Sequence, residues 1–382
     1  MAKTIIGLGD PKAVRKYSAF LAVDVGRKSY FNRKFMGVGI EAQTPVQTLP
    51  HLENDAGDSI SYDLVMQLRM APVEGDSILE GNEEDLKFYS DSLYIDQARG
   101  GVNTGGRMTR KRTIHDLRRV ARARQSEWWS RVFDEQFFAY LSGSRGVNAD
   151  YTVPSTWTGR ANNPLVAPDT YHKIMQNGTA KASMVAPTSS AINDGMTLTS
   201  IDQAVARASV MGGGASGIPA LEPCMIDGEE HYVCVVHPFQ EYTLRTNATT
   251  GQWLDIQKAA AAAEGRNNPI FKGALGMYNN VVLHQHRAVI RFNDYGSGGN
   301  VQAARALFMG RQAGVVAFGS PGTDLRFDWH EETRDNGNQA VISTSSIFGV
   351  KKTAFTTDDY GSLDFGVIAI DSTIADPSGA SL

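Results

Sequence analysis

Along residues 61–70 the chain reads SYDLVMQLRM, and Tyr62, Leu64, Met66, Leu68 and Met70 alternate with mostly polar neighbours. A period of two is that of a half-buried strand. The stretch KFYSDSLYIDQAR, 87–99, is rich in aromatic and β-branched residues and reads as its partner. Between them, residues 71–86 carry Glu74, Asp76, Glu80, Glu83, Glu84 and Asp85. The pattern predicts a long hairpin over 58–100 with an acidic tip. Two strands alone are marginal in water, so this hairpin has to lean on its own body or on a neighbouring chain.

From Met108 to Gly143 the period changes. Ile114, Leu117, Ala121, Trp128, Val132, Phe133, Phe137 and Leu141 recur at three- and four-residue steps, which is helical spacing. Thr109 or Thr113 can cap the start, and Gly143 stands where a helix-ending glycine belongs. A helix over 109–142 at ~1.5 Å per residue is about 50 Å long, a spine for other elements to pack on. Its first half is crowded with Arg107, Arg110, Lys111, Arg112, Arg118, Arg119, Arg122 and Arg124.

The remaining pattern is shorter in range. Asp10-Pro11 starts an N-terminal helix whose Val14, Tyr17, Phe20, Leu21, Val25 and Phe31 keep helical spacing. A segment punctuated by Gly37, Gly39, Pro45 and Pro50 follows in extended form. Residues 144–195 are rich in Gly, Asn, Pro, Thr and Ser and read as a long loop with very short strands. Helices are expected at 200–214, capped by Thr199 or Ser200, from Pro238 onward, and over the alanine-rich 253–265. Strands are expected at 231–238, within 277–292, and at 365–371. Residues 306–319 are apolar and broken by glycine. Residues 326–355 read as two antiparallel strands around an Asp335-Asn336-Gly337-Asn338 turn.

Charge narrows the function. The formal net charge of −4 gives no global affinity for nucleic acid or membranes, so the basic cluster is a local feature. No apolar run reaches the ~18 residues of a membrane span, and MAKTIIGLGDPKAV lacks a signal-peptide core. Cys224 and Cys234 make no disulfide framework and suit a reducing compartment.

Catalytic constellations are weak throughout. The glycine run 211–217 has no phosphate-loop lysine and follows a helix rather than a strand. His284 and His286 share a strand face without a third metal ligand nearby. His231 and His237 alternate away from Cys234. Glu331-Glu332 and Asp358-Asp359 are adjacent carboxylates, and neighbours on a strand face opposite ways. We therefore expect no enzyme activity, no cofactor and no metal.

The basic stretch 107–124 leaves three readings: phosphate binding to nucleic acid, a solvated face, or a seat for the acidic tip of another copy of the chain. Opposite charge patches on separate parts of one protein favour head-to-tail association, which favours the third. The contact residues expected are Glu74, Asp76, Glu80, Glu83, Glu84 and Asp85 on one side, with Arg110, Arg112, Arg118 and Arg122 on the other.

The order of parts resembles the tailed-bacteriophage major capsid proteins of the Hong Kong 97-type fold. The wording is similar to that of the N-four-like podovirus family. It lies in Gly75-Asp76, Gly81-x-Glu83, Leu86-Lys87-Phe88-Tyr89, Tyr94 to Arg99, Met108-Thr109-x-x-Arg112-Thr113 and Trp128-Trp129 before Asp134. Val236-His237-Pro238, Gly310-x-Gln312-Ala313 and Ile347 to Lys352 add to it. It runs from about residue 30 to 372, with nothing matched over 144–195.

The resemblance implies an α+β fold with an N-terminal arm (1–57), an extended hairpin loop (58–105) and a peripheral domain (106–197) holding the spine helix. An axial domain (198–325) and returning peripheral strands with a C-terminal tail (326–382) complete it. It implies a shell-forming subunit of an icosahedral virion, assembled in the host cytoplasm as hexamers and pentamers around double-stranded DNA. The hairpin would lie over the adjacent subunit. A portal protein is an implied partner, with separate scaffolding and decoration proteins as further possibilities. No lysine–asparagine crosslinking motif is matched, and the arm is too short for a fused scaffold.

Overall fold

The computed structural model describes residues 11–39, 41–53, 56–188, 191–212, 217–226, 228–247, 269–320 and 326–377. Pro11 opens the first helix, Pro11–Lys28, where its missing N–H costs no helical hydrogen bond. Leu21 and Val25, one turn apart, are buried, and Phe20 and Val23 face outward. Ser29 ends this helix and caps the next turn, Tyr30–Lys34.

Two sheets organise the chain. The first is built on the 14-residue strand Gln339–Lys352. One edge of that strand pairs antiparallel with Asp96–Asn103. The other pairs with Asp328–Arg334 and then Gly314–Gly319. Val46–Leu49 and Met36–Val38 extend the sheet in parallel. The hairpin expected at 326–355 is present, with Arg334 opposite Gln339 and positive φ at Asp335, Asn336 and Gly337 in its turn. The second sheet runs Gly276–Tyr278, Val281–Gln285, Glu229–Val236, Val301–Met309, Val367–Thr373, Lys173–Met175. Arg291–Tyr295 and Cys224–Ile226 pair alongside. The apolar run 306–319 is thus two strands in two sheets, and the break at Gly310–Ala313 is where the chain crosses between them. Gly310 is needed there, since an added Cβ would lie 2.3 Å from the Glu222 carbonyl oxygen.

By chain order, Lys173–Met175 and Val367–Thr373 belong to the expected peripheral segments, yet Val367–Thr373 pairs with Val301–Met309 of the middle segment and carries Lys173–Met175 on its other edge. Sheet membership is set by long-range hydrogen bonding, and sequence position does not record it. Within 144–195 the short strands are Gly159–Arg160, Asn163–Pro164 and Lys173–Met175. The helix expected at 200–214 is Leu198–Val210, with Thr197 at its N-cap. Ser200 instead sits inside the first turn and donates to the Thr197 carbonyl. The helix from Pro238 ends at Asn247. The expected 253–265 helix lies outside the described residues.

The spine departs from a single rod. A short helix, Arg107–Arg112, is followed by the main helix Leu117–Ser142, which at ~1.5 Å per residue spans about 39 Å. The cap is neither Thr109 nor Thr113. Asp116 accepts from the Arg118 and Arg119 amides at 3.0 and 3.3 Å, and Gly143 closes the other end at φ 67°. A carboxylate immediately before Leu117 is a better acceptor for two orphan amides than the chain upstream, so the helix restarts there. Ile114, expected on the buried stripe, is 102 % exposed.

Of the adjacent Trp128 and Trp129, Trp129 is fully enclosed, donating from Nε1 to Thr344 Oγ1 at 2.8 Å. Trp128 lies across Gly100, where any Cβ would come within 2.5 Å of its ring. The second half of the spine is buried nearly all round, among Phe31, Phe318, Phe327 and Phe348.

Polar ties cross the seam between spine and sheets. Arg305, in Val301–Met309, donates to both oxygens of Asp371 at 2.6 and 2.8 Å and to the Ser142 carbonyl at 2.7 Å. Ser142 ends the spine, so the guanidinium also meets the negative end of the helix dipole. Burial alone would raise the Asp371 carboxyl, but Arg305 outweighs it and holds it below the usual range. Lys352 and Asp364 form a second enclosed pair at 2.7 Å.

Candidate inter-subunit interface

The hairpin stem pairs Ser59–Val65 with Phe88–Tyr94, Ser59 opposite Tyr94 and Val65 opposite Phe88. The alternation read from the sequence holds through Tyr62, Leu64 and Met66, which are half-buried, and then fails at the exposed Leu68 and Met70. The long second strand of the expectation is also split. Phe88–Tyr94 stays in the hairpin, and Asp96–Asn103 enters the first sheet.

The root of the hairpin is fixed to its own body. Leu93 is buried with Leu49, Leu52, Val315 and Ala317. Asp91 accepts from the Tyr62 hydroxyl at 2.7 Å and from Lys351 Nζ at 2.5 Å. Tyr62 meets the Phe355 ring edge-on at 5.9 Å.

Beyond Val65 the loop is held by side chains. The Glu84 carboxylate reaches across and accepts from the Arg69 and Met70 amides at 2.5 and 2.7 Å. Those two backbone bonds hold its carboxyl below the usual range. Glu83 accepts from the Gly81 amide at 2.7 Å. Glu74, Asp76, Glu80 and Asp85 are exposed, and their side chains make no hydrogen bond or ion pair among the described residues. Around them Leu68, Ile78, Leu79, Leu86 and Phe88 are also exposed, Ile78 by 73 %. Apolar side chains are thus clustered in the open on an acidic loop.

The basic ridge is built from the short helix and the spine start. Arg107 N donates to Asn338 Oδ1 at 3.0 Å and Arg110 Nη2 to the Asn338 carbonyl at 2.9 Å, which fastens the short helix to the 335–338 turn. Arg118 pairs with Glu331 at 2.7 Å and Arg122 with Asp24 at 3.0 Å. Arg112 is exposed and makes no such pair among the described residues. A cleft of about 470 Å³ opens here, lined by Arg107, Arg110, His115, Arg118 and Glu331. Met108 and Ile114 project from the ridge. Arginine, exposed methionine and isoleucine thus stand together, the complement of an acidic and apolar loop.

Ten residues were expected at this contact. Glu84, Arg110, Arg118 and Arg122 have partners within the chain that sequence spacing did not disclose, and Glu83 is bound locally. No tip carboxylate is bonded to the ridge within the chain. Ile114 was the missed ridge residue, placed on the buried stripe by a helical count that ran through Asp116.

The other sequence candidates are structural. His284 is bonded through Nε2 to the Ile270 carbonyl at 2.7 Å, and His286 stacks on Phe138 and meets Tyr30 at a tilt. Burial, with Lys34 nearby, lowers the His284 pKa to about 4; burial with Arg287 and Lys34 does the same for His286. Cys224 and Cys234 are free and enclosed, and burial pushes both thiols up to about 12. Cys224 lies on the strand Cys224–Ile226. Glu331 accepts from both Arg118 and the Trp329 indole. Asp358 and Asp359 lie in a turn between Ala354–Thr357 and Gly361–Asp364.

Residues 5–376 match the model of a family described as phage capsid protein. The chain belongs to that family. It is 48 % identical to the capsid of Ralstonia phage GP4, with 98 % of this chain and 99 % of that one covered at a TM-score of 0.82. It is 26 % identical over 357 residues to the major capsid protein of Pseudomonas phage KPP25, covering 88 % of this chain and 89 % of that protein. The capsid of cyanophage Pam1 shares the fold at 20 % identity and a TM-score of 0.67. This phage capsid protein is a major capsid subunit of the phage head, with the Hong Kong 97-type fold expected from the sequence, and its place is the virion.

Proposed function

We propose that this phage capsid protein closes its shell by laying the hairpin tip of one subunit on the basic ridge of the next. The observation that carries the reading is the unmatched pair of surfaces. Exposed carboxylates with Ile78, Leu79 and Leu86 stand on one element, and exposed arginines with Met108 and Ile114 stand on another. A head-to-tail contact of this kind generates closed rings, which suits hexamers and pentamers. The role is structural, and no catalytic step is assigned to any residue. Ridge arginines that the tip leaves uncovered can face packaged double-stranded DNA. Assembly in the host cytoplasm and a portal partner follow from the same reading, with scaffolding and decoration proteins as optional additions.

Single exposed pairs contribute about 0–1 kcal/mol, so the test reverses several together. The variant Glu74→Lys/Asp76→Lys/Glu80→Lys is expected to keep its circular dichroism spectrum and to lose shell formation by negative-stain microscopy. Adding Arg110→Glu and Arg112→Glu to the same chain re-creates opposite charge across the contact and is expected to restore shells. Normal shells from the tip variant alone would remove the proposal. The runner-up use of the ridge, as a nucleic-acid site, predicts tight DNA binding by the unassembled subunit that weakens steeply with salt.

A further inference from the structure

The adjacent carboxylates Asp358 and Asp359 are not absorbed by the assembly contact. They form the turn that touches the hairpin on both of its sides. Asp359 accepts from Arg69 Nη1 at 3.1 Å, on the outgoing side just past the stem. Asp358 accepts from the Tyr89 hydroxyl at 3.3 Å, on the returning strand. The Arg69 guanidinium also lies across Gly217, where an added Cβ would sit 2.4 Å from Nη2. Gly217 adopts φ +69°, a left-handed conformation suited to glycine, and leaves a flat place for the planar cation.

Gly217 heads a segment that Glu222 fastens to the body. The Arg311 amide donates to the Glu222 carbonyl at 2.7 Å, and Arg311 Nη1 pairs with its carboxylate at 3.1 Å. Between hairpin and body a cavity of about 90 Å³ remains, lined by Val65, Met66, Ile218, Pro219 and Phe365. The loop is therefore rested on the body rather than packed into it. The Arg69–Asp359 ion pair there is partly exposed on both partners, hence weak and screened by salt.

We propose that Asp358, Asp359 and Gly217 form a seat, keyed by Arg69, that sets the angle at which the hairpin leaves its own subunit before a neighbour binds the tip. This rests on the reading that the hairpin is an inter-subunit element. The angle of that element fixes the rotation between neighbours, and a repeated rotation fixes the curvature of a closed assembly. A weak seat lets one sequence adopt slightly different angles at different places in a shell.

The test uses the full chain with Arg69→Gln, Asp359→Asn, Asp358→Asn and the swap Arg69→Asp/Asp359→Arg. Amide hydrogen exchange over 66–87 in the unassembled protein is expected to rise roughly two- to fivefold in Arg69→Gln and Asp359→Asn, the size of one exposed ion pair, and by less in Asp358→Asn, which alters only the acceptor of the Tyr89 hydroxyl. The swap is expected to return exchange toward the original rate. Shell diameters measured by electron microscopy are expected to broaden in the single variants and narrow again in the swap. Unchanged exchange in both Arg69→Gln and Asp359→Asn would overturn the seat. The tip reversal separates the two ideas. If it blocks assembly while the seat variants exchange and assemble normally, the seat alone fails. If it assembles normally while seat variants alter exchange, the seat stands and its role in assembly fails.

Discussion

At the scale of single residues, enclosed charge decides where the molecule is vulnerable. Arg305 and Asp371 are both nearly inaccessible, and the Nε–Nη2 edge of the guanidinium meets both carboxylate oxygens. Removing one partner of such a pair leaves the other charge buried, at a cost of about 3–5 kcal/mol. Asp371→Asn and Arg305→Met should each lower the thermal midpoint markedly. Arg305→Met/Asp371→Leu should lose less than the two single changes combined, as calorimetry can establish. The histidines set an acid response. His237, His284 and His286 are lowered by burial to about 3, 4 and 4. The unfolded chain therefore binds their protons first. Stability is full above pH ~6.5 and falls as pH drops toward about 4. Asp134 acts oppositely. Burial raises its carboxyl to about 6 despite bonds from Tyr30, Ser29 and Phe31, so it favours the fold at low pH and loses that contribution as pH rises through 6. Burial raises Glu135, Glu241 and Asp364 in the same sense as Asp134, so the histidine response is read by difference: His286→Gln should lose less melting temperature between pH ~6.5 and ~4 than the unaltered subunit does. An identical change in both would contradict the assignment.

At the scale of elements, end residues matter more than interior counts. Asp116 satisfies two amides that begin the main spine helix, and Asp116→Ala should cost about 0.5–2 kcal/mol in urea unfolding. Gly143 is less forgiving. It sits at φ 67° with the Val166 carbonyl oxygen 2.0 Å from where a Cβ would lie. Gly143→Ala should therefore exceed the ~1 kcal/mol typical of a strained Gly→Ala change. Both ends were open to sequence reasoning, but only Gly143 was read. A dense run of arginines at helical spacing carried the count through Asp116 and put Ile114 inside. The 335–338 hairpin was legible because Asp-Asn-Gly-Asn has one favourable backbone solution between alternating strands. The split of 87–99 at Ile95 was not legible. The strand pattern is the same whether the partner is Ser59–Val65 or Gln339–Lys352, and distant pairing chose between them.

At the scale of the whole molecule, the exposed surfaces predict behaviour in salt. The proposed tip-to-ridge contact would join charged side chains with the exposed Ile78, Leu79, Met108 and Ile114. Raising salt from ~0.1 to ~1 M shortens the screening length from about 10 to 3 Å, so shell assembly should slow while preformed shells, with their apolar contacts made, should persist. Light scattering during assembly and microscopy of salt-treated shells would check both halves. The sequence by itself determined the local matters: the hairpin and its acidic tip, the existence of the spine, the Gly143 stop, the 326–355 strands and the family wording. Those depend on periodicity and on residues acting within a few positions of themselves. Only the tertiary structure decided which sheet each strand joins, and that Val367–Thr373 returns to the strands of the middle segment. It also decided that Glu84, Arg118 and Arg122 are already occupied within the chain, and that Asp358 and Asp359 meet the hairpin. Each of these is a contact between residues far apart in the chain, chosen by packing and by the need to pair enclosed charge, and neither leaves a trace in local spacing.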